Sequence, residues 1–408
     1  MKTHLSAEFD GTPEGAEAQA VIGKCVHCGF CNATCPTYQL LGDELDGPRG
    51  RIYLIKQVLE GGTATRSTQM HLDRCLTCLN CQTTCPSGVE YGRLVDIGRK
   101  IVDARVERPA AERATRRLLG ETLTSPLFAP ALRVGQALRP LLPAVLKDKI
   151  PARAKRRAVA KSGTHPRKVL LLQGCVQPAM MPNIDAATVR VLDAAGIETL
   201  TISGTGCCGA LRTHLGYQDA GRADMRRNID AWMPLVSGGS PQAIISSASA
   251  CSLAIKQYAH ALCGDADYAE NAVRISALAR DLSELLPDIA AALKDRLRPG
   301  VQRLVFHPPC TLQHGQALRG GVETHLRGLG FEVELASSES HLCCGSAGTY
   351  SILQPQLATE LRDRKLKQLT LPQPQAIVSA NIGCIQHLQS GTSIPVKHWI
   401  EVLDECLL

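Results

Sequence analysis

Aromatic side chains are scarce in this sequence: five Phe, seven Tyr and two Trp among 408 residues. Its cores must therefore pack aliphatic side chains, and no aromatics interleave with the basic residues to make a nucleic-acid surface. Uninterrupted apolar runs are short, none reaching the ~18 residues that a membrane-spanning helix needs. The first twenty residues, MKTHLSAEFDGTPEGAEAQA, have no apolar leader core and no twin-arginine pair, so the expected location is the cytoplasm. No nucleophile triad is legible and no general base sits in an interpretable motif, so no catalytic residue is assigned.

Cysteine, by contrast, is abundant, with eighteen in the chain. In a short secreted protein such a number would signal disulfides, but a chain of this length with regular spacing points to metal sites in a reducing compartment. CVHCGFCNATC from Cys25 to Cys35 and CLTCLNCQTTC from Cys75 to Cys85 both read C-x-x-C-x-x-C-x-x-x-C, each followed by proline, Pro36 and Pro86. Three thiolates so spaced on a tight loop converge on one cubane, and the fourth ligates the other cluster of a pair. The expected ligands are Cys25, Cys28, Cys31 and Cys85 for one 4Fe-4S cluster, and Cys75, Cys78, Cys81 and Cys35 for the second. Zinc knuckles or a disulfide lattice would need neither the third cysteine nor the displaced fourth.

The net charge of +7 is unevenly placed: between Asp103 and Lys168 sixteen Lys or Arg stand against five Asp or Glu, so the rest is slightly acidic. This segment reads as a solvated basic linker, residues 104–166, that could also touch anionic lipid or an acidic partner. Within it, LFAPALRVGQALRPLLPAVLKDKI is apolar but broken by prolines at 130, 140 and 143, which preclude one long helix and leave interfacial membrane contact open.

The length suggests two or three domains. Residues 1–103 read as a mainly α-helical frame carrying two cluster loops. Helices are expected over residues 15–24, after GPRGR with Ile52, Ile55, Val58 and Leu59 on one face, and over VDIGRKIVDARVE. From Lys168 onward short apolar runs alternate with helical patterns. Strands are expected at 169–172, 198–202, 243–246, 303–306, 331–335 and 376–379, giving a layered α/β architecture and an α+β chain overall.

That second part repeats. Cys175, Cys207, Cys208 and Cys251 recur as Cys310, Cys343, Cys344 and Cys384, offset by 135, 136, 136 and 133 residues. Each pair is followed by glycine, Gly209 or Gly345, which lets the chain turn tightly and aim both thiols at one ligand. The trailing segments RDLSELL and KHWIEVL correspond as well. The division is residues 167–297 for the first Cys-Cys-Gly half and 298–408 for the second. Soft thiolates select a further cluster or zinc over hard metals, and buried inert cysteines are the third reading. GTGCCG at 204–209 spells a dinucleotide loop, but its counterpart SHLCCG lacks the first two glycines, so no nucleotide is assigned. Cys263 and Cys406 stay outside all sets. His27 lies inside the first loop, and His307, His314, His341 and His398 lie near the repeated cysteines or in the trailing segment; none is taken as a ligand.

These residues resemble the iron-sulfur subunits of flavin-linked dehydrogenases, a group with glycerol-3-phosphate, lactate-utilisation and heterodisulfide reductase members. The likeness is strongest to the glycolate oxidase iron-sulfur subunit family, through CVHCGFCNATCPTYQLLGDELDGPRGRIYLIKQVLEG, HLDRCLTCLNCQTTCPSGV, NIDAW, CTLQH and HLCCGSAGTY. It spans essentially the whole chain. The resemblance implies two 4Fe-4S clusters on the eight N-terminal cysteines and electron transfer from FAD-binding partner subunits, which oxidise glycolate to glyoxylate, toward a quinone or other acceptor. It implies no FAD on this chain. Lactate or glycerol-3-phosphate systems, or a heterodisulfide-reductase-like catalytic subunit, are the alternatives. The last uses a fifth cysteine per half, where Ala248 and Asn381 stand here.

Overall fold

The computed structural model describes residues 1–141, 162–298 and 303–408. Part of the basic linker and its Pro143 lie outside the described residues. The chain packs as two compact units. The first gathers Met1–Thr115, Pro308–Leu318 and Ser337–Gln368; the second gathers Arg116–His307, Arg319–Ala336 and Leu369–Leu408. Packing thus cuts across the sequence boundaries, since two segments of the second Cys-Cys-Gly half join the N-terminal residues.

The first unit is helical because its sequence starts and stops helices clearly. Thr12 caps Pro13–Gly23 by accepting the Gly15 N–H at 3.0 Å, Pro48 opens Pro48–Leu59, and a Thr65/Thr68 capping box opens Arg66–Asp73. Ile52, Ile55, Val58 and Leu59 form the buried face of their helix, as their spacing requires, and share a core with Val21, Ile22, Leu94 and Val95. Helices Pro48–Leu59 and Tyr91–Arg105 touch where Gly98 meets Ile55; a Cβ at Gly98 would lie 2.5 Å from Ile55 Cγ1. Arg108 closes the frame, bonding Asp73 at 2.5 Å, Asp103 at 2.6 Å and Glu112 at 2.5 Å.

The second unit holds two four-stranded sheets of the same topology. β1 (Arg167–Leu171), β2 (Ile197–Leu200), β3 (Ala243–Ser246) and β4 (Ala279–Asp281) are ordered β2-β1-β3-β4. β5 (Arg303–His307), β6 (Glu332–Leu335), β7 (Ala376–Ser379) and β8 (Val396–His398) are ordered β6-β5-β7-β8. All pairings are parallel. The fully buried β3 and β7, AIIS and AIVS, are continuous apolar runs of the kind that helices cover on both faces. The six expected strands are present, and the corresponding trailing segments supply β4 and β8. Three-residue strands carry too little alternation to stand out from the helices behind them.

In the basic segment the described residues form helices Ala110–Thr124 and Phe128–Leu138. The second buries none of its residues and leaves Val134 and Leu138 exposed.

His398 is buried where β8 meets the helix Trp399–Cys406. Its Nδ1 accepts the Ile400 N–H at 3.1 Å, which leaves the proton on Nε2 to donate to the Ser247 carbonyl at 2.8 Å. Burial pushes its pKa down to about 4. A depressed folded pKa means full stability above the unfolded value and loss as pH falls through the folded one. Between pH 7.5 and 5 we expect this group to cost about 2 kcal/mol. The wild-type melting temperature should fall more over that interval than that of His398→Asn; equal falls would refute the assignment. Burial also pushes Asp185 up to about 7, which acts in the opposite sense in both proteins and cancels to first order.

Candidate metal centre

The two N-terminal loops share a backbone device. In the first, His27 and Gly29 have φ of 60° and 85°; in the second, Thr77 and Leu79 have 52° and 61°. These left-handed residues, the one before the second cysteine and the one after it, turn successive thiols to one side. A short helix follows each, Phe30–Ala33 and Asn80–Thr84, and places the third cysteine a turn further on. The fourth, Cys35 or Cys85, lies past that helix in extended backbone, with its proline behind it.

The two loops bring all eight thiols into neighbouring surroundings. Cys25, Cys28, Cys31 and Cys85 line one pocket of about 430 Å³, solvent mouth included, with Cys81 also at its wall and Val26, Phe30, Pro48, Ile52 and Val89 among its apolar sides. Burial, followed by Cys25, Cys85 and Cys28, pushes the Cys31 thiol up to about 11. In the second set, burial raises Cys78 and Cys81, and both also feel Cys35 and Cys75. Four soft donors in apolar surroundings fit an iron-sulfur cluster and not a hard, oxygen-seeking cation.

The sets differ in exposure and charge. Cys28 is exposed and His27 stands exposed at the mouth of the first pocket, whereas Cys35, Cys75 and Cys81 are buried. Cys75 Sγ receives the Thr77 N–H at 3.4 Å and the Tyr91 O–H at 3.6 Å. Burial opposes its ionisation, but Arg51 and Arg99 pull the thiol below its ordinary value.

Within the same unit the segments 308–318 and 337–368 close over the second loop. Asn80 Nδ2 donates to the carbonyls of Thr34 at 3.0 Å and His341 at 3.3 Å, and the Tyr350 hydroxyl donates to the Arg74 carbonyl at 3.1 Å. His314 accepts from Thr83 at 2.9 Å and donates to the His341 carbonyl at 2.8 Å, so both its nitrogens are engaged. Cys310 Sγ lies 3.7 Å from Cys343 Sγ, and Cys78 feels Cys310 while Cys343 feels Cys78. Lys365 is 2% exposed; it donates to the carbonyls of Glu339 and, at 3.4 Å, Ser340. Burial pushes its amine down to about 8, against the pull of Cys344, Cys343, Glu339 and Cys310.

In the second unit the segments after β1, β2 and β3 bring Cys175, Cys207, Cys208 and Cys251 together. Hydrogen bonds from Cys175 and Cys208 pull the Cys207 thiol down, and Cys208 is raised by its contacts with Cys207 and Cys251. Asn228 Nδ2 donates to the Cys207 carbonyl at 2.8 Å and Tyr258 to that of Cys208 at 3.0 Å, which fixes the pair. Cys251 and Cys384 each stand third in a helix, Ser249–Lys256 or Ile382–Gln389, whose N-cap is Ala248 or Asn381. Asn381 Nδ2 approaches Cys384 Sγ at 4.0 Å. Cys263 is exposed and Cys406 buried, each apart from these sets. Sequence reading did not single out Arg51, Arg99 or Lys365. Arg51 lies inside GPRGR, but nothing there shows that its side chain turns inward.

The comparisons with known proteins follow this layout. A 4Fe-4S dicluster domain model matches residues 21–89, and a cysteine-rich domain model matches residues 169–256 and 304–389. The chain is 50% identical over 408 residues to the glycolate oxidase iron-sulfur subunit of Escherichia coli (strain K12), covering 100% of this chain and 99% of that protein. The probable glycolate oxidase iron-sulfur subunit of Bacillus subtilis (strain 168) is 28% identical over 400 residues, 90% and 88% of the two chains. Lactate utilization protein A of Oceanobacillus iheyensis is 24% identical over 245 residues, 58% of this chain and 96% of that one. No helix among the described residues is long and apolar enough to cross a membrane. An iron-sulfur protein with the dicluster domain in front of two cysteine-rich repeats, the chain belongs to the glycolate oxidase iron-sulfur subunit family.

Proposed function

We propose that this chain is the electron-transfer subunit of a glycolate-oxidising complex, with its catalytic flavin on partner subunits. The observation that supports the reading is the pair of cysteine loops whose thiols gather in apolar, largely buried surroundings, read with the full-length likeness to the Escherichia coli glycolate oxidase subunit. Converting glycolate to glyoxylate releases two electrons and two protons, which calls for a two-electron acceptor such as FAD. When bound, two 4Fe-4S clusters supply one-electron carriers. Cys25, Cys28, Cys31 and Cys85 hold the first, and Cys35, Cys75, Cys78 and Cys81 the second. Ile52 and Val89 give the first set dry walls, while Tyr91 and Thr77 donate to a sulfur of the second. The acceptor beyond is a quinone or another carrier. The location is the cytoplasm, with peripheral contact at the membrane, which the exposed apolar residues of Phe128–Leu138 support.

Cys175, Cys207, Cys208 and Cys251, and Cys310, Cys343, Cys344 and Cys384, are proposed as further metal ligands, for a cluster or zinc. The buried Lys365 supports this for the second group, because its hydrogen-bond acceptors are neutral carbonyls and the thiols nearby become anionic on binding metal. The sequence division at residues 103, 166 and 297 is retained as our proposal for the modules of the chain.

The test is anaerobic purification with iron, sulfide and zinc analysis, then addition of glycolate to the reconstituted complex with the clusters followed by EPR. We expect about eight irons for the N-terminal sets alone, more if the repeated cysteines add a cluster. Glycolate should reduce the clusters; reduction by lactate or glycerol 3-phosphate alone would sink the substrate assignment.

A further inference from the structure

Arg51 is a buried cation with too little acid around it. It is 1% exposed. Its Nε donates to the His71 carbonyl at 2.7 Å and its Nη1 to Thr37 Oγ1 at 3.1 Å, with Cys35 Sγ 4.0 Å from Nη1. The carboxylate in reach is Asp46, 3.4 Å from Nη2, but Asp46 is held more closely by Arg74 at 2.8 Å and contacts His71 Nδ1 at 3.0 Å. Arg99 stands nearby and donates to the carbonyls of Leu72 at 2.9 Å and Cys75 at 2.6 Å and to Thr77 Oγ1 at 2.9 Å. Arg51 and Arg74 therefore share Asp46, and Arg99 adds a further guanidinium beside the second loop. Near the first set, by contrast, Arg49 is paired with Glu44 at 2.5 Å.

A guanidinium cannot shed its proton, so unbalanced charge of this kind is tolerated only where an anion completes it. The anion to hand is the group of thiolates at Cys35 and Cys75. Adding one electron to a cluster there adds one negative charge. Burial alone opposes that charge and lowers the potential; a fixed cation in the same dry surroundings favours it.

We propose that Arg51 is a positioning residue that raises the reduction potential of the cluster held by Cys35, Cys75, Cys78 and Cys81, offsetting the burial of that set. The inference rests on the ligand assignment above and adds the group that tunes it. Arg99 works in the same direction and Asp46 against it.

The test is a redox titration of the anaerobically purified full-length protein, monitored by EPR, with iron counted in each sample. Wild type should show about eight irons in the N-terminal sets and two midpoint potentials. Arg51→Gln should keep that iron and lower one midpoint while the other stays, and Arg51→Lys should restore most of the shift. Asp46→Asn should raise the same midpoint that Arg51→Gln lowers. Normal iron with neither midpoint moved, or both moved together, overturns the proposal. If Arg51→Gln loses iron, Asp46→Asn decides: a single raised midpoint supports the proposal, and an unmoved pair or lost iron overturns it. A wild type without two cluster signals overturns the ligand assignment itself, which is a distinguishable failure.

Discussion

Cys35→Ser is expected to remove the second cluster and leave the first in place. Cys35 follows the first loop in sequence, four residues after Cys31, and a reading by sequence neighbourhood would assign it there. Its backbone lies past the helix Phe30–Ala33, its side chain is buried, and the thiols that feel it are Cys78 and Cys81 of the other loop. Serine offers a hard, weakly acidic oxygen where iron prefers a soft thiolate, so a buried set deprived of one of its four thiolates should assemble poorly. Iron in the N-terminal sets should drop from about eight to about four per chain, and one of two EPR signals should vanish. Cys85→Ser should abolish the other signal. If Cys35→Ser instead disturbs the same signal as Cys28→Ser, the crossed arrangement is wrong.

Much of this layout was legible in the sequence, for a physical reason. Ligand spacing is set by local backbone geometry, so two copies of C-x-x-C-x-x-C-x-x-x-C declare their chemistry without any knowledge of packing. The repeated Cys-Cys-Gly sets were equally plain, as was the periodicity of Ile52, Ile55, Val58 and Leu59. What the sequence did not show depends on long-range packing. Nothing in GPRGR marks Arg51 for burial, yet the helix Pro48–Leu59 buries it against Thr37, His71 and Cys35. Nor did the repeat announce that 308–318 and 337–368 pack with the N-terminal helices, since each half of a duplication is expected to fold upon itself. The contacts that hold these segments, Asn80 to the His341 carbonyl and Tyr350 to the Arg74 carbonyl, end on backbone atoms, which leave no trace in residue type. The short β4 and β8 escaped because three residues suffice to pair with a strand already in place.

Gly345→Ala should be among the more damaging single-methyl additions in the chain. Gly345 has φ of 89°, in the left-handed region that an L-residue enters at a cost of about 1–2 kcal/mol. A Cβ there would also lie 2.5 Å from the Ala358 carbonyl oxygen and 3.0 Å from Leu361 Cβ. The oxygen belongs to the backbone of the helix Pro355–Thr370, so it cannot swing aside as a side chain would. Adding about 1–3 kcal/mol for overpacking gives a loss of about 2–5 kcal/mol, or, for the first unit unfolding by itself, a melting temperature lower by roughly 5–15 °C. Gly209, after the other cysteine pair, repeats the device with φ of 91° and the Gly221 carbonyl oxygen 2.7 Å from its would-be Cβ. In both halves the glycine therefore lets the cysteine loop press against a helix backbone. Gly348→Ala separates the two causes, because Gly348 has φ of 64° with nothing within 4 Å of its would-be Cβ. It should lose only the about 1–2 kcal/mol of backbone strain. Thermal unfolding followed by circular dichroism compares the two, and a Gly345→Ala protein that melts no lower than Gly348→Ala would mean that contact with the helix backbone is not what the Cys-Cys-Gly glycine provides. Since Gly345 adjoins Cys344 and follows Cys343 by two residues, any metal held by these thiols should be lost from Gly345→Ala before the fold itself gives way.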